Sequence, residues 1–311
     1  MGPLSKSGLV VFTLFASFFC GLDEVYPVDL KPDWIDGSSL QYPEAAYLRG
    51  LGFADDKRSA ERNAVEALVR VFRSGIRSKQ DLAQITLAES WFDPLSKVHY
   101  ILAVLHRDKT EVIFLKNVSG LEREAEMWLE RATEAEHPLA VAKALYRGLR
   151  ASRQADEYQA KLRVIVPNHA SPLEESVMSA GLQNQLDEVL RTHFQVEIAL
   201  EGPHAAEVEK AILENLNQMG LRSGSEPKLS VSGAVRFEKT GPKSPTWHFM
   251  RWSTRIILTE KESGRVIGSV RNTGREGQLS LEEAEQKSLA ALQSEVNKTI
   301  KKRIFQYIFG G

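Results

Sequence analysis

From Ser280 onward the chain repeats a small or apolar residue every three or four positions: Leu281, Ala284, Ser288, Leu289, Leu292, Val296, Ile300, Ile304 and Ile308. Residues at that spacing share one face of an α-helix, so the run predicts a single long helix with one stripe to bury. Ser280 opens it with Glu283 three residues on, the spacing of a capping box. A stripe of that length needs an equally long apolar surface, and the residues before it offer one. "KLSVSGAVRFEK" puts Leu229, Val231, Val235 and Phe237 on one face of a strand. "HFMRWSTRIILTEKE" and "RVIGSVRNT" continue an antiparallel meander through a turn at Glu262-Ser263-Gly264.

Upstream, "KLRVIVP" reads as a strand. The helix after it has Ser171 as cap, Pro172 in its first position and Glu174 three residues past the cap. "FQVEIAL" is a further short strand, and "HAAEVEKAILENLNQMG" a helix stopped by Gly220. Residues 161–311 thus read β-α-β-α-β-β-β-α. Residues 42–119 form a smaller unit. Tyr47 to Ala54 is a short strand, and Asp55 or Asp56 caps a helix with Ala60, Ala64, Ala67, Leu68 and Val71 on one stripe. "QDLAQITLAESWFD" and "KVHYILAVLHRD" are two strands about the Asp93-Pro94 turn, giving β-α-β-β. Between the units, residues 120–160 predict a helical connector. Met127, Trp128, Leu129 and Ala132 lie on one helix, and Pro138 starts another with Leu139, Ala142, Leu145 and Leu149. No second copy follows at a repeat period. The fold class is α+β, two small sandwich-like modules joined by helices.

The N-terminus carries a different signal. Lys6 precedes an apolar run from Gly8 to Cys20, too short for a span of roughly 20 residues but suited to an export signal. Cys20 is the chain's single cysteine, which excludes a disulfide framework. It stands where a bacterial lipoprotein signal (residues 1–20) places its lipid-modified cysteine. Phe18-Phe19 occupy positions where that signal prefers a small residue, so a cleaved signal or short anchor is the other reading. Residues 21–41, rich in Pro, Asp and Ser, read as an extended tether.

Motifs with a chemical look dissolve on their surroundings. Gly50-Leu51-Gly52 lacks the third glycine of a dinucleotide fingerprint, and Asp55-Asp56 would repel a phosphate at that helix start. It is read as a strand-to-helix connection. Ser225-Glu226-Pro227-Lys228 and Lys239-Thr240-Gly241 spell two signatures of penicillin-recognising enzymes. Pro227 inside the first and the short gap between them rule the pair out. None of the seven histidines pairs with another ligand at metal spacing. The pairs Asp55-Asp56, Glu174-Glu175 and Glu282-Glu283 sit at helix starts, where they complement the dipole. Forty basic against 41 acidic residues offer no bulk attraction to nucleic acid. The expectation is no enzyme, no cofactor, no metal and no nucleic acid.

Two surface features remain. Trp247, Arg251 and Trp252, in the aromatic strip "WHFMRW", are candidates for a partner contact, with core packing the alternative. "KTIKKRIFQYIFGG" interleaves cations with apolar residues and is either a buried helix end or a membrane- or partner-docking one.

Taken together, the N-terminal unit resembles the LPP-twenty lipoprotein family of bacterial envelopes. The resemblance runs over about residues 30–108. It rests on Pro32-Asp33-Trp34, Tyr42-Pro43, Tyr47-Leu48-x-Gly50-x-Gly52-x-Ala54, the helix through Ala60, Ala64 and Leu68, and the strand Tyr100 to Leu105. It implies an exported, outer-membrane-associated lipoprotein facing the periplasm, without catalysis, held in the bilayer by lipid on Cys20. Flagellar assembly protein T opens with a domain of this kind. The C-terminal unit is similar in architecture to domains of curli-secretion and cell-wall-synthase-activator lipoproteins, which implies binding or assembly with envelope proteins. Self-association, a soluble periplasmic subunit of a flagellar or secretion assembly, and a hydrolase without a visible motif stay open as alternatives.

Overall fold

The computed structural model describes residues 31–72, 84–166, 177–241 and 246–310. The α+β class expected from the sequence is the one observed: two sheets, with a long helical hairpin between them in the chain.

The first sheet contains β1 (Tyr47–Ala54), β2 (Ile85–Asp93) and β3 (Val98–His106) in the order β1-β3-β2, all antiparallel. Helix α1 (Lys57–Val71) follows β1 and covers one face, so the β-α-β-β order is present. Asp56 caps α1 by accepting the Ser59 N–H at 2.9 Å, and the Ser59 hydroxyl first, then this N–H, hold its carboxyl below the usual range. Ala60, Ala64 and Leu68 are fully buried against the sheet. Gly50 and Gly52 lie within β1, not in the connection after it, and they make this packing feasible. A side chain at Gly52 would stand 2.1 Å from the Ala64 nitrogen and 2.2 Å from the Ala60 oxygen.

The other face of the sheet corrects the tether reading. Residues 33–36 form a 3-10 turn that sets Trp34 against Leu102 and Val104. Trp34 is 9% exposed, so this part of the segment is docked. Its indole removes more apolar area from water here than a free linker would allow.

β3 passes without a loop into α2 (Arg107–Glu134), which forms a hairpin with α3 (Pro138–Ile165). Both helices outrun the expected connector. "KLRVIVP" opens as the last turns of α3, not as a strand: Ala151, Ala155, Tyr158, Leu162 and Ile165 continue one buried helical stripe. The Arg107 guanidinium donates to the carbonyls of Val164 (3.0 Å) and Ile165 (2.6 Å), and its Nε donates to that of Glu44 (2.9 Å). A cation on the last free carbonyls stabilises a helix end. Phe114, Val118, Tyr158, Leu162 and Ile165 complete the first core. Ala125, Ala132, Ala142, Leu145 and Leu149 belong to the second. The hairpin is therefore part of both cores.

The second sheet has the order β4-β5-β6-β7: β4 (Val196–Glu201), β5 (Leu229–Lys239), β6 (His248–Glu260) and β7 (Val266–Gln278). β4 and β5 are parallel, joined through α5 (Ala205–Asn217), and the others are antiparallel. With α4 (Val177–His193) and α6 (Leu281–Phe309) the order is α-β-α-β-β-β-α, lacking the strand expected at 161–167. The cap expected at Ser171 lies outside the described residues. Gly220 ends the turn after α5 at φ 84°, where glycine carries no steric penalty. In α6 the Glu283 N–H donates to Ser280 Oγ at 3.1 Å. Ala284, Ser288, Leu292, Val296, Ile300, Ile304 and Ile308 are all buried, one residue in four along the sheet. The apolar end of α6 packs on α3, where Tyr146 stacks on Phe309 at 4.4 Å and meets Phe305 edge-on at 5.3 Å, while Phe305 keeps 38% of its surface exposed.

Candidate interaction surfaces

Several of the described residues that looked chemical in the sequence make structural contacts. Among the described residues no group of His, Cys, Asp and Glu has metal-binding geometry. His99 packs against Phe92 with ring centres 4.7 Å apart and planes tilted by 41°. His204, at φ 58°, joins two helices: its Nε2 meets Glu285 at 2.8 Å and its Nδ1 meets Glu207 at 3.3 Å. The bond to Glu285 raises its pKa against a smaller opposing effect of burial. Ser152, Ser179 and Asp156 form a buried chain between α3 and α4, with 2.7 Å between the hydroxyl oxygens and 2.5 Å from Ser179 Oγ to Asp156. Ser179 is fully buried and Asp156 half-buried, and the cluster stitches the two helices together. Tyr307 donates to Glu260, tying the end of α6 to the β6–β7 turn. Burial, then that carboxylate, push its pKa up to about 12.

The candidate strip is divided between two faces because successive strand residues alternate. Trp252 points inward and is 4% exposed, which corrects its reading as a contact residue. It lies over Gly274, directly opposite on β7, where a side chain would come within 2.3 Å of the indole. Arg251 is exposed on the outward face, and Trp247 remains 49% exposed, stacked on Phe249 at 6.4 Å and 22°. Cys20 lies outside the described residues.

A second surface escaped sequence reading. On the face of the first sheet opposite α1, Tyr42 meets Tyr47 edge-on at 5.3 Å. Trp91 lies 5.5 Å from Tyr100, which in turn lies 6.1 Å from Phe53. Phe53 is 61% exposed and belongs to β1, an edge strand. These aromatics are scattered singly, Tyr47 and Phe53 in β1, Trp91 in β2 and Tyr100 in β3, and only the pairing places them side by side.

With this architecture in hand, the molecule is an α+β protein of two sheet modules sharing a helical hairpin. No family model matches the chain, and no curated protein matches it. Solved structures to which the chain shows some similarity include a secreted protein of Helicobacter pylori, 14% identical, covering 84% of this chain and 98% of that one at a TM-score of 0.40. A minor lipoprotein of Acinetobacter baumannii is 9% identical and covers 37% and 93%, at a TM-score of 0.27. Rare lipoprotein B of Shewanella oneidensis is 11% identical and covers 36% and 91%, at 0.26. These neighbours are secreted proteins and lipoproteins of bacteria. At TM-scores of 0.40 and below they carry neither a family nor a role to this chain, and the LPP-twenty family stays a resemblance.

Proposed function

We propose that the protein is a non-enzymatic lipoprotein of the bacterial outer membrane, facing the periplasm and acting as a binding or assembly module for other envelope proteins. Lipid on Cys20 holds it at the leaflet, and the two sheets with their shared hairpin hold its surfaces in fixed relation. Several acyl chains anchor firmly where one does not. The observation that carries the binding role is the aromatic face of the first sheet, from Tyr42 and Tyr47 through Trp91 and Tyr100 to exposed Phe53. Tyr, Trp and Phe are enriched at the centres of protein interfaces, where they bury much area at little entropic loss. Edge strand β1 adds backbone groups to which a partner strand can pair.

A photo-crosslinking residue at Phe53, compared in cells with one at exposed Lys116 on the hairpin, tests this. A discrete adduct with one envelope protein at Phe53 and none at Lys116 is expected. Equal, diffuse labelling at both positions would refute a dedicated contact.

A further inference from the structure

The second sheet has its helices on one face only. On the other, successive outward residues of β6 and β7 form cross-strand pairs: Arg251 opposite Arg275, Ser253 opposite Thr273, Arg255 opposite Arg271. Arg236 on β5 stands opposite Ser253, between the two arginine pairs. All five arginines are exposed. Like charges directly opposite one another destabilise a sheet. Here that arrangement occurs twice on one face, two cross-strand pairs apart. A local conflict of this kind, only partly offset within the sheet, marks a surface shaped by something other than folding.

The compensation within the sheet is partial. Among the described residues none of the five arginines makes an ion pair, and Arg275 instead lies over the Phe249 ring at 4.3 Å. Glu238 on β5 stands directly opposite Arg251 and offsets one charge, and Glu201 borders the same face on β4. Glu197 is held by Lys261 at 2.6 Å, so the five arginines still outnumber the carboxylates left to face them. Small residues such as Ala199, Ser232 and Ala234 floor a hollow of about 800 Å³ rimmed by Arg236, Arg255 and Arg271, with Glu201 the one carboxylate beside them. At one end, Trp247 and Phe249 stack, and Ile257 is 39% exposed further along.

We propose that this face docks on an anionic phospholipid bilayer, its arginines on headgroup phosphates and Trp247 and Phe249 in the interfacial zone. The charges favour a surface over a single polyanionic strand. They extend about 13 Å along β6, four residues at strand rise, and also across three strands. Guanidinium groups bind phosphate oxygens in a bidentate fork, with the Ser253 and Thr273 hydroxyls between them. An aromatic pair beside cations is the composition that settles at a membrane–water boundary. The contact goes beyond the partner-binding reading and requires neither that partner nor the lipid on Cys20.

The test uses the purified full chain, so that its N-terminal apolar run is common to every sample. Co-sedimentation is measured with phosphatidylethanolamine–phosphatidylglycerol vesicles and with neutral phosphatidylcholine vesicles. The expected result is stronger partition onto the anionic vesicles, weakening with salt. At about a factor of five to ten per basic residue, the double variant Arg255→Gln/Arg271→Gln loses roughly thirtyfold or more of that excess. Lys109→Gln/Lys116→Gln, which makes the same change in net charge on the hairpin, retains it. The arginine variant is also expected to melt no lower than the wild type, since a repulsive pair has been removed, so loss of binding is not loss of fold. Equal binding to both vesicle types, or undiminished binding by the arginine variant, overturns the proposal. So does saturation by inorganic phosphate or polyglutamate without retention on vesicles; those results would assign the face to a free anion or an acidic protein.

Discussion

Gly52→Ala places one methyl group between β1 and α1, where the structure has no room for it. The new carbon would stand 2.1 Å from the Ala64 nitrogen and 2.2 Å from the Ala60 oxygen, both backbone atoms that no rotamer change can move aside. Carbon reaches a comfortable non-bonded distance at roughly 3.5 Å, so α1 must retreat by about 1.4 Å. A gap of half that size already forfeits a quarter to a half of each dispersion contact. Ala60, Ala64, Leu68 and Phe72, buried beneath the helix, all lose contacts together. Overpacking of this kind costs about 1–3 kcal/mol, and the lifted Leu68 brings the expected loss to about 3–4 kcal/mol. Urea unfolding followed by far-UV circular dichroism and tryptophan fluorescence would show a lower midpoint for the first module. Gly120→Ala is the matched control: it lies inside α2 with nothing within 4 Å of an added methyl group. It is expected to raise stability by about 0.5–1 kcal/mol through helix propensity. A Gly52→Ala protein within about 0.5 kcal/mol of wild type would refute the close-approach argument.

Three further outcomes follow from single contacts. Arg107→Met leaves the Val164, Ile165 and Glu44 carbonyls without their guanidinium and is expected to lower stability by about 1–2 kcal/mol, with Arg107→Lys recovering only part because an ammonium lacks the fork; chemical denaturation measures both. His204, whose pKa is raised, contributes stability that is complete below about pH 6.5 and lost as pH rises through its raised value. Glu207, whose pKa is lowered, loses its share only as pH falls through the carboxylate range, so the unfolding free energy is highest between the two windows, and His204→Gln flattens the alkaline limb. Tyr307 is expected to ionise near pH 12 in an ultraviolet titration and to come down only in part in Glu260→Gln, because burial, the larger cause, remains.

Where local pattern and tertiary context agree, the fold was legible. The stripe of α6, the meander and the β-α-β-β unit follow from spacing alone, because each element buries one face along its full length. The misreadings arose where distant residues decide. Val164, Ile165 and Val166 look like a strand, but Arg107, far away in sequence, seals them as a helix end. Trp34 sits in a Pro- and Asp-rich stretch that reads as linker until Leu102 and Val104 supply its seat. Trp247 and Trp252 looked like one strip, yet their separation by five residues puts them on opposite faces. The arginine pairs were invisible for the same reason: Arg251 and Arg275 become neighbours only when the register of β6 on β7 is known.

The central claim is an envelope protein held by lipid on Cys20. Its most direct test is membrane fractionation with intact-mass measurement of the full chain beside Cys20→Ala. The account predicts that the wild type sediments with membranes and carries a mass increment of diacylglycerol size or more, and that the variant loses the increment and the firm retention. Wild type and variant in the soluble fraction, both at unmodified mass, would contradict it.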